Sequence, residues 1–427
     1  MQLIPTRVSR REFLHHAASA STAVLASVGF DAIAQSATPA AADATSASSG
    51  AMAPARYSVE SIGSYTAERM NEVLTTELKK FSTFKIAYPA ARHGVRLYRV
   101  RYPSVIPEMN NRPTTASGLI AVPDKAGGTL PVVSYQHGSV FGKTEVPSFP
   151  DQSTETRLML AVFASQGYVV LAADYFGKGL SPERNAFFVK ASTQQACLDL
   201  TRVARSAAPD LGFGVGPLFL SGWSQGGWST LVFLNRLENV GIAVHAAAVA
   251  SGPPDLFAIM NRWANAPAKI DASYIPPLTA LMLHAFEEYY GLPGFTTSAI
   301  EPQYQSAARE LYLNLATFEK LESSFPARLP DMLQQSFKTD LAAGRGRYAE
   351  LLQESHGYRW RAATPMRVYY GGSDEVTPAY LAQLPVGYQQ IMGGATVTAV
   401  DAGAAADHRG VFLYSLADQK KWFDSLL

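Results

Sequence analysis

The stretch that most constrains this chain is residues 218–228, Leu-Phe-Leu-Ser-Gly-Trp-Ser-Gln-Gly-Gly-Trp. Leu218 to Leu220 read as a short apolar strand, and Trp228 to Leu237 read as a helix. Between them stands Gly222-Trp223-Ser224-Gln225-Gly226. A strand and a helix joined so closely need a sharp turn, and a serine at its apex takes a strained backbone. Gly222 and Gly226 are small neighbours that let the two elements pass close to it. The Ser224 hydroxyl then stands above a sheet edge. An oxyanion formed there lies near the free N–H groups and positive dipole end of the helix. Ser224 is the candidate nucleophile.

The surrounding pattern supplies the sheet that such a turn requires. Met70 to Phe81 reads as a helix, and Ala91–Tyr102 and Ala116–Val122 read as strands. An α/β rhythm follows: strand Pro131–Tyr135, helix Glu155–Ser165, strand Tyr168–Ala173, helix Gln194–Ala207, then the Ser224 unit and strand Val244–Ala250. Apolar strands without alternation, separated by helices, predict a mostly parallel central sheet flanked by helices on both faces. With 427 residues, 47% of them hydrophobic, the chain can bury one large α/β core.

The rhythm breaks at Ser251-Gly252-Pro253-Pro254. Residues 256–361 read as strand-free and helical, with Ala280–Tyr290, Tyr304–Glu319 and Leu329–Thr339 as candidate helices. Strands return at Met366–Tyr370 and Thr396–Val400, and Val411–Leu426 closes the chain as a helix. The expected core is therefore 57–255 and 362–427. The block 256–361 is a helical cap inserted between the sixth and seventh strands, with both its ends read as emerging at the catalytic edge. Its stripe Leu278, Leu281, Met282 and Phe286 is expected to line a substrate pocket.

A nucleophilic serine needs a base, and the base needs an orienting carboxylate, in the chain order Ser, Asp or Glu, His. Four histidines follow Ser224: His245, His284, His356 and His408. His245 falls in a strand, and His284 and His356 fall in the inserted block. His408 follows the last strand in a loop before the final helix, and is the candidate base. The carboxylate should follow the seventh strand, in Gly371-Gly372-Ser373-Asp374-Glu375-Val376-Thr377-Pro378. Asp374 is preferred over Glu375 on the phase set by Val376 and Pro378, with an N-cap as its other reading. Asp407 is a weaker rival, because side chains adjacent in sequence seldom face each other. For the oxyanion the Gln225 N–H is one donor. The loop Tyr135-Gln136-His137-Gly138-Ser139 supplies the other, Ser139 first and His137 second. The turn Asp174–Ser181 reads as loop-shaping.

No histidine and carboxylate cluster has metal-ligand spacing and no Gly-rich phosphate loop is present, so no cofactor or metal is expected. The net charge of +1 points to neither nucleic acid nor an anionic surface as partner. Cys197, the lone cysteine, forms no intramolecular disulfide and reads as a buried core thiol.

The N-terminus reads as an address. Ser9-Arg10-Arg11-Glu12-Phe13-Leu14 resembles a twin-arginine export signal, followed by a weakly apolar stretch to Phe30 and a small-x-small site, Ala32-Ile33-Ala34. The apolar stretch is too short for a permanent membrane anchor. Residues 35–56 read as a low-complexity linker. Loss of residues 1–34 takes away Arg7, Arg10, Arg11, Glu12 and Asp31, leaving 33 basic and 33 acidic side chains. A periplasmic or secreted protein is expected.

Over about residues 85–427 the chain resembles the α/β-hydrolase superfamily. The Tyr135-Gln136-His137-Gly138 turn, Gly222-Trp223-Ser224-Gln225-Gly226-Gly227 and the helical insertion resemble the secretory lipase branch typified by fungal lipase A. That resemblance implies a secreted carboxylic ester hydrolase with a helical lid, its second donor at His137; where the branch carries Asp, this chain has His137-Gly138. A likeness to prolyl-oligopeptidase-like hydrolases stands beside it. The expected activity is a serine esterase or lipase forming an acyl-enzyme, on a small-molecule, lipid or polymer ester. The alternatives are an exopeptidase or amidase, with Glu287-Glu288 able to hold a substrate amine, an acyltransferase, and a non-catalytic binding protein.

Overall fold

A computed structural model describes residues 56–427 apart from Ala126. The expected export signal and nearly all of the linker lie outside the described residues.

Among the described residues, nine strands form one sheet: β1 (Ser58–Tyr65), β2 (Val95–Ile106), β3 (Arg112–Pro123), β4 (Thr129–Gln136), β5 (Val169–Ala173), β6 (Gly214–Trp223), β7 (Ala246–Ala250), β8 (Met366–Tyr370) and β9 (Val397–Asp401). Their spatial order is β1-β2-β3-β5-β4-β6-β7-β8-β9. The first three strands are antiparallel to their neighbours. From β5 across to β9 every pair is parallel.

Successive side chains of a strand point to opposite faces, and here both faces are covered. Val132, Leu218, Leu220, Ala247 and Val249 join one buried cluster, with the helices Lys190–Ala207 and Gln225–Asn239. Val133, Tyr135, Phe219, Ala246 and Ala248 join the other, with the helices Thr154–Val162 and His408–Asp424. Phe219 stacks on Phe423 at 4.5 Å between ring centroids and is fully buried. A side chain of this size contributes about 1.5–3 kcal/mol when removed from water. Cys197 is buried in the first cluster, and burial pushes its thiol pKa up.

β1 is one strand more than the sequence pattern predicts. It is an edge strand with most residues exposed, so no apolar alternation marks it. The expected helix Tyr304–Glu319 is two pieces, Pro302–Tyr312 and Phe318–Leu321, broken where Asn314 takes φ 53°. The block 256–361 is otherwise helical, with Leu256–Asn265 and Ile275–Tyr290 its longest members after Pro302–Tyr312 is set aside, and it contains only an isolated bridge, Ile300 to Leu333. One expectation about it fails. Because β8 runs parallel to β7, the chain enters the block at one sheet edge and must re-enter β8 at the opposite edge. Among the described residues no helix is long and apolar enough to cross a membrane.

Parallel strands put all their C-terminal ends on one edge, where loops gather. β4, β6, β8 and β9 therefore deliver His137–Ser139, Ser224, Asp374 and His408 to the same side.

Candidate active site

Ser224 follows β6 directly and precedes the helix Gln225–Asn239, with φ 59° and ψ −124°. This is a region that L-residues rarely occupy. Two close approaches enforce the turn. A Cβ on Gly226 would overlap the Gln136 carbonyl oxygen, and one on Gly222 would overlap the Gly226 carbonyl oxygen. The Ser224 N–H donates to the Ala250 carbonyl at 3.0 Å, tying the apex to β7.

Asp374 and His408 meet at the neighbouring strand ends. His408 Nδ1 lies 2.9 Å from Asp374 Oδ1, and both side chains are buried. The same oxygen accepts from the Val376 and Thr377 N–H groups at 2.9 and 2.8 Å, so the carboxylate is anchored by its own turn. It caps no helix: the next begins at Ala379, with Pro378 before it. Burial works against the charged form of each partner, but their attraction outweighs it. Asp374 is held below the usual carboxylate range, and His408 is raised above an ordinary histidine.

The rivals have other partners. Asp407 caps the final helix, accepting the Gly410 N–H at 2.6 Å. Glu375 accepts the His408 backbone N–H at 3.0 Å and the Tyr274 hydroxyl at 3.2 Å, bracing the histidine from the helical block. The Trp223 Nε1–H donates to the His408 carbonyl at 3.0 Å, and its ring lies 5.0 Å from the imidazole. Neither bracing role could be read from spacing.

Ser224 and His408 line one cavity of about 310 Å³, with Ser139, Val140, Phe141, Trp223, Tyr274, Leu278 and Phe318 among its walls. Glu145 and Arg409 are its charged members. Of the expected apolar stripe only Leu278 reaches it. Leu281, Met282 and Phe286 are packed in the core, Phe286 against Tyr290 and Tyr348. Glu287 and Glu288 line a different cavity. Glu287 is occupied there by the Gly294 and Thr296 N–H groups at 2.9 and 2.8 Å, so this pair does not meet Ser224.

On the second-donor loop, His137 is buried and both ring nitrogens face carbonyl oxygens, those of Gly138 at 2.8 Å and Asp174 at 3.2 Å. Burial lowers its pKa to about 4, which keeps the ring neutral. Ser139, not His137, lines the cavity. The Asp174–Ser181 turn shapes this region as expected: Lys178 Nζ donates to the carbonyls of Val140, Phe141 and Gly142 at 2.9–3.1 Å. Among the described residues, no group of three or more His, Cys, Asp or Glu side chains is placed to hold a metal.

A mostly parallel sheet with a serine at the strained turn after β6 and a carboxylate–histidine pair at the same edge defines an α/β-hydrolase. The chain belongs to the serine aminopeptidase S33 family, whose model matches residues 149–384. Among curated proteins, no relative matches the sequence. Solved structures show the same fold. A hydrolase-assigned protein of Legionella pneumophila is 21% identical with a TM-score of 0.75, over 86% of this chain and 97% of that one. The rice cell wall degrading esterase LipA of Xanthomonas oryzae is 20% identical with a TM-score of 0.74, over 87% and 98%. Candida antarctica lipase A in its closed state is 16% identical with a TM-score of 0.61, over 78% and 77%. The lipase A resemblance therefore holds at the level of fold.

Proposed function

We propose that this protein is an exported serine carboxylic ester hydrolase acting through an acyl-enzyme. The observation that carries the reading is the buried Asp374–His408 pair opening on the cavity that Ser224 lines. With Nδ1 engaged by Asp374, His408 keeps Nε2 to take the Ser224 proton as the hydroxyl attacks the ester carbonyl. The developing oxyanion is held by the N–H groups of Gln225 and Ser139; neither has an acceptor among the described residues. His408 then protonates the leaving alcohol and later activates water, which releases the acid. Asp374 fixes the tautomer and stabilises the imidazolium. The helical block acts as a cap by presenting Tyr274, Leu278 and Phe318 to the substrate, and export rests on the N-terminal Arg10-Arg11 pattern.

The esterase named from Xanthomonas oryzae and the lipase from Candida antarctica share this fold, which supports an ester as substrate. A peptidase reading has its own support in the family's description and in Glu145, a carboxylate in the cavity wall that could face a substrate amine. That group already accepts the Gly142 N–H at 2.8 Å, which favours a structural use. Comparing kcat/KM on nitrophenyl esters from acetyl to palmitoyl with aminoacyl arylamides decides between them. Esters are expected to dominate. Arylamide turnover equal to or above ester turnover would transfer the function to peptides.

A further inference from the structure

Glu155 is the second residue of the helix Thr154–Val162, where an acidic side chain usually faces water and the helix dipole. Here it is buried beneath the loop after β4. Its Oε1 accepts the Gly138 N–H at 2.7 Å and also the Tyr135 hydroxyl. On the other side of the same peptide, the His137 carbonyl accepts the Tyr175 hydroxyl at 3.2 Å. The His137–Gly138 peptide is thus held at both ends. In the next peptide the Gly138 carbonyl faces His137 Nδ1 at 2.8 Å. Of the four polar groups in these two peptides, three are engaged by the protein. The fourth is the Ser139 N–H, which has no acceptor among the described residues and belongs to a residue lining the cavity of Ser224 and His408. There is no slack in the arrangement. A Cβ on Gly138 would stand 3.1 Å from Glu155 Oε2 and 3.1 Å from Trp223 Cε3, and Trp223 in turn packs on His408.

We propose that Glu155 is a positioning residue of the reaction: its buried carboxylate locks the His137–Gly138 peptide and so presents the Ser139 N–H as the loop's oxyanion donor. This rests on the serine-hydrolase reading above. Glu155 touches no substrate. It acts through the loop, and through its charge on the base. The titratable and charged groups facing it are Tyr135 from β4, Tyr175 from the loop after β5, and His408 and Arg409 from the start of the last helix. Burial pushes the Glu155 carboxyl up to about 7, against the pull of Tyr135, the Gly138 N–H, His408 and Arg409. A carboxylate there favours the imidazolium form of His408, so removing its charge should lower the histidine pKa.

The test uses the mature protein and three variants, Glu155→Ala, Glu155→Gln and Tyr135→Phe, assayed on one nitrophenyl ester across pH. Wild-type labelling of Ser224 by a fluorophosphonate is the reference. Glu155→Ala should lose about 10- to 100-fold in kcat with a smaller change in KM, as expected for a misplaced transition-state donor. Glu155→Gln keeps an acceptor oxygen for both donors and should recover most of that kcat. Its acid limb of kcat/KM should nevertheless move to lower pH. Tyr135→Phe keeps the Gly138 contact but loses a donor that holds the Glu155 carboxyl down, so its acid limb should move the same way as that of Glu155→Gln and by less. A folded Glu155→Ala with wild-type kcat, or a Glu155→Gln that recovers none of the kcat lost by the alanine variant, overturns the proposal; if the alanine variant does not fold, a Glu155→Gln with kcat more than about 10-fold below wild type overturns it. If wild-type Ser224 takes no phosphonate, the catalytic reading itself falls. If Ser224 is labelled and Glu155→Ala turns over normally, only the Glu155 assignment falls.

Discussion

The strand edge that carries Ser224, Asp374 and His408 and the helical block that carries Tyr274, Leu278 and Phe318 face the same cavity, yet they are held in different ways. At the strand edge each residue sits on a short turn tied directly to the sheet. Ser224 is pinned by a strained φ and by glycine contacts that no side chain could share. Asp374 is pinned by two N–H groups of its own turn. The block instead has a core of its own, as the Phe286, Tyr290 and Tyr348 rings show, and it reaches the cavity through a few side chains. Phe318 meets the strand edge by stacking on Phe141, at 4.0 Å between centroids. The comparison separates two jobs. On the proposed function, geometry that must be exact to a fraction of an ångström is built on the sheet, and the shape that would select substrates is built on the helices of the block.

If that division holds, changes at the strand edge lower the rate on every ester, and changes in the block alter the ratio between esters. The largest effect is expected at the nucleophile: Ser224→Ala should lower kcat on the order of 10⁴-fold or more across an ester panel while the thermal transition stays cooperative. A loss confined to long-chain esters would break the comparison at once. Next comes the carboxylate. Asp374→Asn should cost about 10³- to 10⁴-fold in kcat. Asp407→Asn should leave turnover close to wild type and cost at most about 1 kcal/mol of stability through a weakened helix cap. The pH profile adds a sign. His408 must be neutral to act as base, and Asp374 raises its pKa, so wild-type kcat/KM should fall as pH drops through a value above that of an ordinary histidine. Residual activity of Asp374→Asn should have its acid limb at lower pH. An unmoved limb would mean that another group sets it.

The smallest effects belong to the block. Leu278→Ala and Phe318→Ala should shift acyl-chain preference in kcat/KM severalfold and leave the labelling of Ser224 by a small phosphonate nearly unchanged. Met282→Ala, equally apolar and on the same helix but buried away from the cavity, should cost about 2–5 kcal/mol of stability with no change in preference. A selectivity shift at Met282, or none at Leu278, would erase the distinction between the two regions.

The same contrast explains what could be read in the sequence. The turn around Ser224 was legible because strain, small neighbours and the following helix all leave local marks within ten residues. His408 and Asp374 were legible from chain order and from the glycines at Gly371-Gly372, which let the acid turn form. Tertiary partners leave no such marks. Glu155 at the start of a helix looks like a dipole-stabilised surface residue, and only the fold puts Tyr135 and the Gly138 N–H against it. Glu375 reads in the sequence only as the less favoured acid, and only the packed loop shows it holding the His408 backbone. The stripe Leu278 to Phe286 carries the helical period, but periodicity does not say which of its members faces a cavity and which a neighbouring helix. The return of the chain to the opposite sheet edge follows from the parallel pairing of β7 with β8, which the strand pattern alone does not mark.

The identity of the reacting atom is the most direct point to test. Wild-type protein and Ser224→Ala can be treated with a fluorophosphonate and digested, and the modified peptide located by mass spectrometry. A single adduct on Ser224 in the wild type, absent from the variant, is the predicted result. An adduct on another residue, persisting at full yield in Ser224→Ala, would contradict it.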